Sequence, residues 1–226
     1  MAHLEYLYAI AERLPRRWRP PTHGVAGAPV GARRVEDLVA VASPLGAPPP
    51  RTVVSLAQHE DVVQTLLDAE ALVPLGFGAA VADTEGWVRA RLALVREALD
   101  RVRGSVEMRV RLLRLDAAVP DGTLAEVADR LLRSAALAPT RCCLARRAED
   151  LTLAFLVPRS EVPAFLARIA PVAARAAGVA VVPSGPAPAY HFAPALGLPE
   201  RAASEYAGPR ARRGPCPGFL STRWSA

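Results

Sequence analysis

Apolar positions alternate with others over short runs in this chain, and turn residues separate the runs. LEYLYAI (4–10) has the period of two that a strand requires, and 34–43 (RVEDLVAVAS) and 51–56 (RTVVSL) read as two more strands around the breaker LGAPPP. Ser55 with Gln58 three residues on has the form of a capping box. It predicts a helix over about 57–71 with Val63, Leu66, Leu67 and Ala71 on one side. LVPLGFGAAVAD (72–83) is apolar but interrupted by Pro74, Gly76 and Gly78. Asp83 then caps a helix expected to run to Arg103 and to stop at Gly104. Val88, Leu92, Val95, Leu99 and Val102 give that helix an a/d stripe of about two heptads, able to dock on a partner but more simply packed on its own sheet.

From Ser105 onward the order is strand, helix, strand, strand, helix, strand. VEMRVRLLRLD (106–116) places Val106, Met108, Val110 and Leu112 on one face and Glu107, Arg109 and Arg111 on the other, which predicts a salt-bridged outer face. Thr123 with Glu126 caps a helix through Leu137. RCCLARR (141–147) and LTLAFLV (151–157) are strands joined by a short polar turn, and Ser160 caps a helix to Ala177 that Pro171 would kink. VAVVP (179–183) is the last strand. The resulting β-α-β-β-α-β order is the ferredoxin-like arrangement. The expected architecture is therefore α+β, with an N-terminal α+β domain over 1–104, a ferredoxin-like domain over 105–194, and a basic, flexible Pro/Arg-rich tail over 195–226.

Composition changes this picture in one respect. All 28 basic residues are arginine, and lysine and asparagine are absent. Such absolute absences are the mark of GC-rich coding, so richness in Arg, Ala and Pro is discounted as a functional signal. Of the net charge of +6, half lies in the last thirty residues, where five arginines face Glu200 and Glu205. A second basic cluster, RLPRRWRPP, occupies 13–21. Such clusters suit an acidic partner or nucleic acid, but solvated loop and tail charge is the simpler reading. The uncharged stretch Ala176–Pro199 could span a bilayer by length, yet its five prolines and three glycines forbid a regular membrane helix. Glu5 and Glu12 interrupt any secretory core at the start.

Candidate chemistry is sparse. The chain has no GxGxxG, P-loop, GxSxG or HExxH pattern, and its histidines (3, 23, 59, 191) have no partners at metal-ligand spacing. His59, beside Glu60 and Asp61, reads as an exposed residue of a first helical turn. Ser43 and Ser55 read as turn or cap residues, and GFG at 76–78 as a pair of tight turns. Cys142 and Cys143 make neither a disulfide framework nor a metal pair and fit opposite faces of a half-buried strand in a reducing cytoplasm. Single-stranded RNA binders of this fold stack bases on sheet aromatics, but the candidate strands offer only Phe155, whose parity places it in the core. No catalytic, cofactor-binding or metal-binding residue is therefore assigned, and neither nucleic acid nor a lipid membrane is an expected partner.

The run VVPSGPAPAYHF (181–192) combines a glycine that permits a positive φ with fixed prolines and an alternating Tyr190 and Phe192. It is specific in shape and poor in reactive groups, and is expected to fold back onto its own protein with those two rings as anchors. Together with YLYAI (6–10), His59 followed by VVQTLL and then LVPLGFG (72–78), VEMRVRLL (106–113) and FLVPRSEVPAFL (155–166), it resembles the gas vesicle protein F/L family, the matches lying in order over most of 4–194. The resemblance implies a non-enzymatic accessory role in gas vesicle formation, in the cytoplasm and at the vesicle. The implied partners are the small hydrophobic shell protein and other accessory proteins, with contacts at the helix 84–103 and at sheet edges. The alternative is a small-molecule-binding regulatory protein with a ferredoxin-like domain, which would require a convergent polar pocket.

Overall fold

In the computed structural model the alternation of Leu4–Ala11 becomes β1, the strand around which the first sheet is built. The structure describes residues 4–116, 119–135, 141–146, 150–193 and 196, with 121, 141–146 and 150 described by backbone alone. The first sheet runs β2 (Gly31–Val35), β3 (Leu38–Leu45), β1, β4 (Leu72–Pro74), with β5 (Ala80–Val81) on the β4 side of β1. All its pairings are antiparallel. The single strand expected over 34–43 is instead a hairpin. Glu36, at φ +56°, reverses the chain so that Val35 faces Leu38, and the adjacent acids Glu36 and Asp37 form the turn.

A second correction concerns 51–56. The expected strand is instead the start of α1 (Val53–Gln64), and its cap is Thr52, not Ser55: the Thr52 hydroxyl accepts the Ser55 amide at 3.1 Å. The cap overrides the β-branched pair Val53 and Val54, which stand 84% and 65% exposed on the first turn. The helix also stops at Gln64, short of the expected 71. Asp83 does cap its helix, accepting the Glu85 and Gly86 amides. That helix divides, however, into α2 (Thr84–Arg89) and α3 (Leu92–Val102).

Up to Tyr8 the even-numbered residues of β1 face α1; the register shifts between Leu7 and Ala9, after which Ala9 and Ala11 take that side and Ile10 joins Leu7. Tyr6 and Tyr8 lie on the α1 side with Val62, Val63, Leu66 and Phe77. Leu7 faces the other way, into a core with Val73, Val88, Val95, Ala98, Leu99 and Val102. The a/d stripe of 88–102 is thus internal and not a free docking face. Gly24 approaches this sheet closely: a Cβ there would lie 2.1 Å from the Tyr8 hydroxyl and 2.8 Å from Val30 Cγ2. Tyr8 cannot retreat, because its oxygen accepts the Val25 amide at 2.8 Å and pairs with Ser43 at 3.0 Å. Gly24→Ala is therefore expected to destabilise the protein by about 1–3 kcal/mol. The urea midpoint measures this, with Gly46→Ala, whose Cβ would meet nothing, as the unchanged control.

The second sheet is β7 (Arg141–Arg146), β8 (Asp150–Pro158), β6 (Ser105–Arg114), β9 (Val179–Ala187), all antiparallel. With α4 (Asp121–Ala135) and α5 (Val162–Ala174) between strands, this is the ferredoxin-like order. Both helices cover one face, where Met108, Val110, Leu112, Leu153, Phe155 and Phe165 pack. Three local expectations move. α4 starts at Asp121, ahead of Thr123. α5 follows a 3-10 turn at Arg159–Glu161 without a side-chain cap at Ser160, and continues through Pro171 to Ala174. β9 runs on past Pro183 to Ala187, which prolines tolerate because it is an edge strand. The other face of the second sheet carries Ala154 and Leu156 into the same core as Leu7 and Leu99, so the two sheets share a core. The side chains of Cys142 and Cys143 and the tail beyond Leu196 lie outside the described residues.

Candidate functional site

Among the described residues the buried imidazole of His59 and the buried carboxylate of Glu107 both bond the terminal segment 188–193, which crosses from the second sheet to the first. Tyr6 and Tyr8 lie beside His59 because β1 alternates. His59 reaches them because Ser55, Val62, Val63 and Leu66 put it in phase with the buried side of its region. His59 is 0% exposed, which corrects its expected place on an exposed first turn. Its Nδ1 lies 2.9 Å from the Tyr6 hydroxyl and its Nε2 3.2 Å from the Tyr190 hydroxyl. The Tyr190 hydroxyl gives its one proton to Glu60 Oε2 at 3.3 Å, so it accepts from Nε2–H. Nδ1 then accepts from the Tyr6 hydroxyl, whose oxygen also accepts the Gly78 amide at 3.1 Å. Tyr8 stacks on the imidazole with ring centres 5.7 Å apart, and Phe77 closes an edge at 6.0 Å. Burial holds the His59 pKa down at about 4, outweighing the Leu75 backbone, which pulls the other way. The ring is therefore a neutral relay between phenols, sealed from substrate and from water.

A second cluster lies on β6. Glu107 shares its parity with Arg109, as the alternation predicts, but its face is not an outer one: the side chain is 0% exposed. One carboxylate oxygen accepts from Arg109 Nε at 2.5 Å and pairs with His191 Nδ1 at 2.8 Å, and the other accepts the His191 amide at 2.9 Å. Burial alone would raise this carboxyl's pKa. The His191 ring, Arg109 and the His191 amide outweigh it and hold the pKa below the ordinary value of 4.5. Arg91, at the break between α2 and α3, stacks over Trp87 and donates to the Leu196 carbonyl at 2.7 Å. With Ala189, Phe192 and Leu196 in the shared core, the terminal segment is a strap fastened to α1, β6 and the α2–α3 corner. This matches the expectation that Tyr190 and Phe192 anchor it.

The remaining candidates are structural as placed. Ser43 lies within β3, not at a turn, and serves Tyr8, while Ser55 bonds Thr52 at 2.9 Å. Phe77 is buried and Gly78, at φ +92°, turns the chain between β4 and β5. Among the described residues no three His, Cys, Asp or Glu side chains converge to hold a metal, and no helix is long and apolar enough to cross a membrane. A shallow groove of about 340 Å³ is lined by Glu126, Asp129, Arg130 and Arg133, all from α4. It is one helix face, not a pocket formed between elements.

The two sheets and the strap define an α+β protein whose second half has ferredoxin-like strand order and whose buried ionisable groups hold the fold together. A family model described as gas vesicle synthesis protein GvpL/GvpF matches residues 4–141 and 121–194, and the chain belongs to that family, which takes part in gas vesicle formation. Among solved structures it resembles the gas vesicle protein GvpF from Anabaena sp. PCC7120, with TM-score 0.68 at 16% identity, over 85% of this chain and 96% of that one. It likewise resembles GvpF from Microcystis aeruginosa, with TM-score 0.68 at 15% identity, over 86% of this chain and all of that one. At these identities the likeness establishes the fold. No curated protein matches the chain.

Proposed function

We propose that this protein is a non-enzymatic accessory factor of gas vesicle assembly in the cytoplasm, holding the small hydrophobic shell protein and other accessory proteins during nucleation. The observation that carries this reading is the family match, which takes in both sheets and the strap. Two features of the structure accord with it. The buried histidine and carboxylate are saturated by intramolecular partners, and the apolar stripe of α2 and α3 is internal. Among the described residues the surfaces offered to an apolar partner include Val53 and Val54 on the first turn of α1, the exposed Leu94, Leu115 and Leu166, and the open edge of β9 with its exposed Val182. The test is deletion of the gene in a vesicle-forming host that has no paralogue, paired with affinity capture of the shell protein. Loss of buoyant vesicles and recovery of the shell protein support the reading. Normal vesicles together with no recovered shell protein would overturn it.

A further inference from the structure

The loop between β1 and the 3-10 turn at Val25–Gly27 carries Arg13, Arg16, Arg17 and Arg19, and all four are exposed. Coding bias explains why they are arginines but not how they are held. The Trp18 amide donates to the Pro15 carbonyl at 2.9 Å, which closes a β-turn with Arg16 and Arg17 at its two corners. Corner side chains point outward, and Arg19 follows directly. The turn is fixed to the body of the protein from both sides. On one side the Trp18 indole N–H donates to Thr65 Oγ1 at 2.9 Å, while Leu14 and the Trp18 ring pack on the core beneath α1. On the other, Val25 is held by the Tyr8 hydroxyl and the Ala26 amide donates to Gln58 at 3.2 Å.

Several surface arginines elsewhere meet carboxylates: Arg33 with Glu5, Arg89 with Glu36, Arg96 with Asp37, Arg101 with Glu97. Among the described residues Arg16, Arg17 and Arg19 have no such partner. Arg13 acts only on its neighbour Glu12, which Arg103 already holds. Three like charges are thus presented together on a fixed turn, against their mutual repulsion, and nothing inside the fold neutralises them. Guanidinium groups held in this way suit bidentate recognition of carboxylates or phosphates.

We infer that the turn Pro15–Trp18 and Arg19 form a docking surface for an acidic segment of a partner protein, rich in Asp and Glu. A protein carboxylate is favoured over nucleic acid because single strands need a free aromatic platform, and Trp18, the loop's one aromatic, has both its ring and its N–H engaged. It is favoured over an anionic membrane because the loop's apolar side chain, Leu14, packs inward and leaves nothing to insert. The surface is independent of the shell-protein reading above, and its failure would leave that reading untouched.

The test uses the full chain and a fluorescent oligoglutamate peptide, followed by anisotropy. Wild-type protein binds the peptide with an affinity that falls steeply as salt rises from about 50 to 300 mM. The Arg16→Gln/Arg17→Gln/Arg19→Gln variant binds at least about tenfold more weakly, one charge-assisted pair being worth that much. The matching triple lysine variant keeps the charge but not the fork, and falls between the two. Should the triple glutamine variant lose its native melt, Arg16→Glu alone carries the comparison, since it leaves Pro15 and Trp18 in place. Binding by the glutamine variant within twofold of wild type overturns the inference, as it would if the tail arginines did the work. So does tighter loop-dependent binding of an RNA oligomer or of phosphatidylserine vesicles than of the peptide.

Discussion

Glu107→Ala is expected to lower the free energy of unfolding by about 3–5 kcal/mol, a large share of what a protein this size possesses. The carboxylate lies on the covered face of β6 and is the common acceptor for Arg109 and for both the ring and the amide of His191. Removing it strands a guanidinium that is two-thirds buried and deprives an amide of its acceptor, while the strap loses its tie to the second sheet. Glu107→Gln keeps the volume and one acceptor oxygen but not the charge, and is expected to fall between alanine and wild type. The measurement is urea unfolding, with His191→Ala and the double variant completing a cycle. If the cluster acts as a unit, the double variant costs clearly less than the sum of the singles. An alanine variant within about 1 kcal/mol of wild type would show that the cluster is not a source of stability.

The second large effect concerns acid. A histidine kept neutral in the fold but free to protonate when unfolded stabilises fully above its unfolded pKa, here taken as 6.5, and less as pH falls toward the folded value of about 4. His59 should thus remove about 3 kcal/mol of stability between pH 6.5 and 4, at 1.36 kcal/mol per unit. Glu107 acts in a different window. Its folded pKa is depressed, so its contribution is complete above its unfolded value of 4.5 and is lost as pH falls below that. In His59→Gln the slope above pH 4.5 should flatten while the lower one persists. Stability measured by urea titration across pH 3–7 distinguishes the two groups. An unchanged slope in the glutamine variant would mean that another group carries the acid sensitivity.

Both clusters were half visible in the sequence. The parity of β6 correctly grouped Glu107 with Arg109, and the order of elements after Ser105 sufficed for the ferredoxin-like sheet. Parity cannot say whether a face meets water, however, and here the first sheet and the strap cover it. His59 was misplaced for a related reason. Starting the helix at the Ser55 capping box made position 59 a first-turn residue. With Thr52 as the cap it falls in the second turn, in register with Val62, Val63 and Leu66. The better signal was that apolar spacing, together with the two tyrosines of matching parity on β1. The 34–43 hairpin is hard to read because β2, with Arg33 and Arg34 exposed, lacks an apolar run of its own, so Glu36 and Asp37 look like polar positions of one strand with the apolar run at 38–42. The final motif is legible as a structural anchor from its want of reactive groups, but its attachment points, 84 to 131 residues away, are not.

That separation also orders events during synthesis. Tyr190 meets His59 across 131 positions of chain, so at typical elongation rates on the order of ten seconds pass between the ribosome's making one and the other. Throughout that interval the imidazole lacks its second partner, and the core around Leu7 lacks the cover that Ala189, Phe192 and Leu196 provide. The nascent chain can form its first sheet early but cannot close it. Closure waits for the strap, so a polypeptide interrupted before Tyr190 would leave the ribosome with an open apolar seam, and only one carried past Leu196 could hide it.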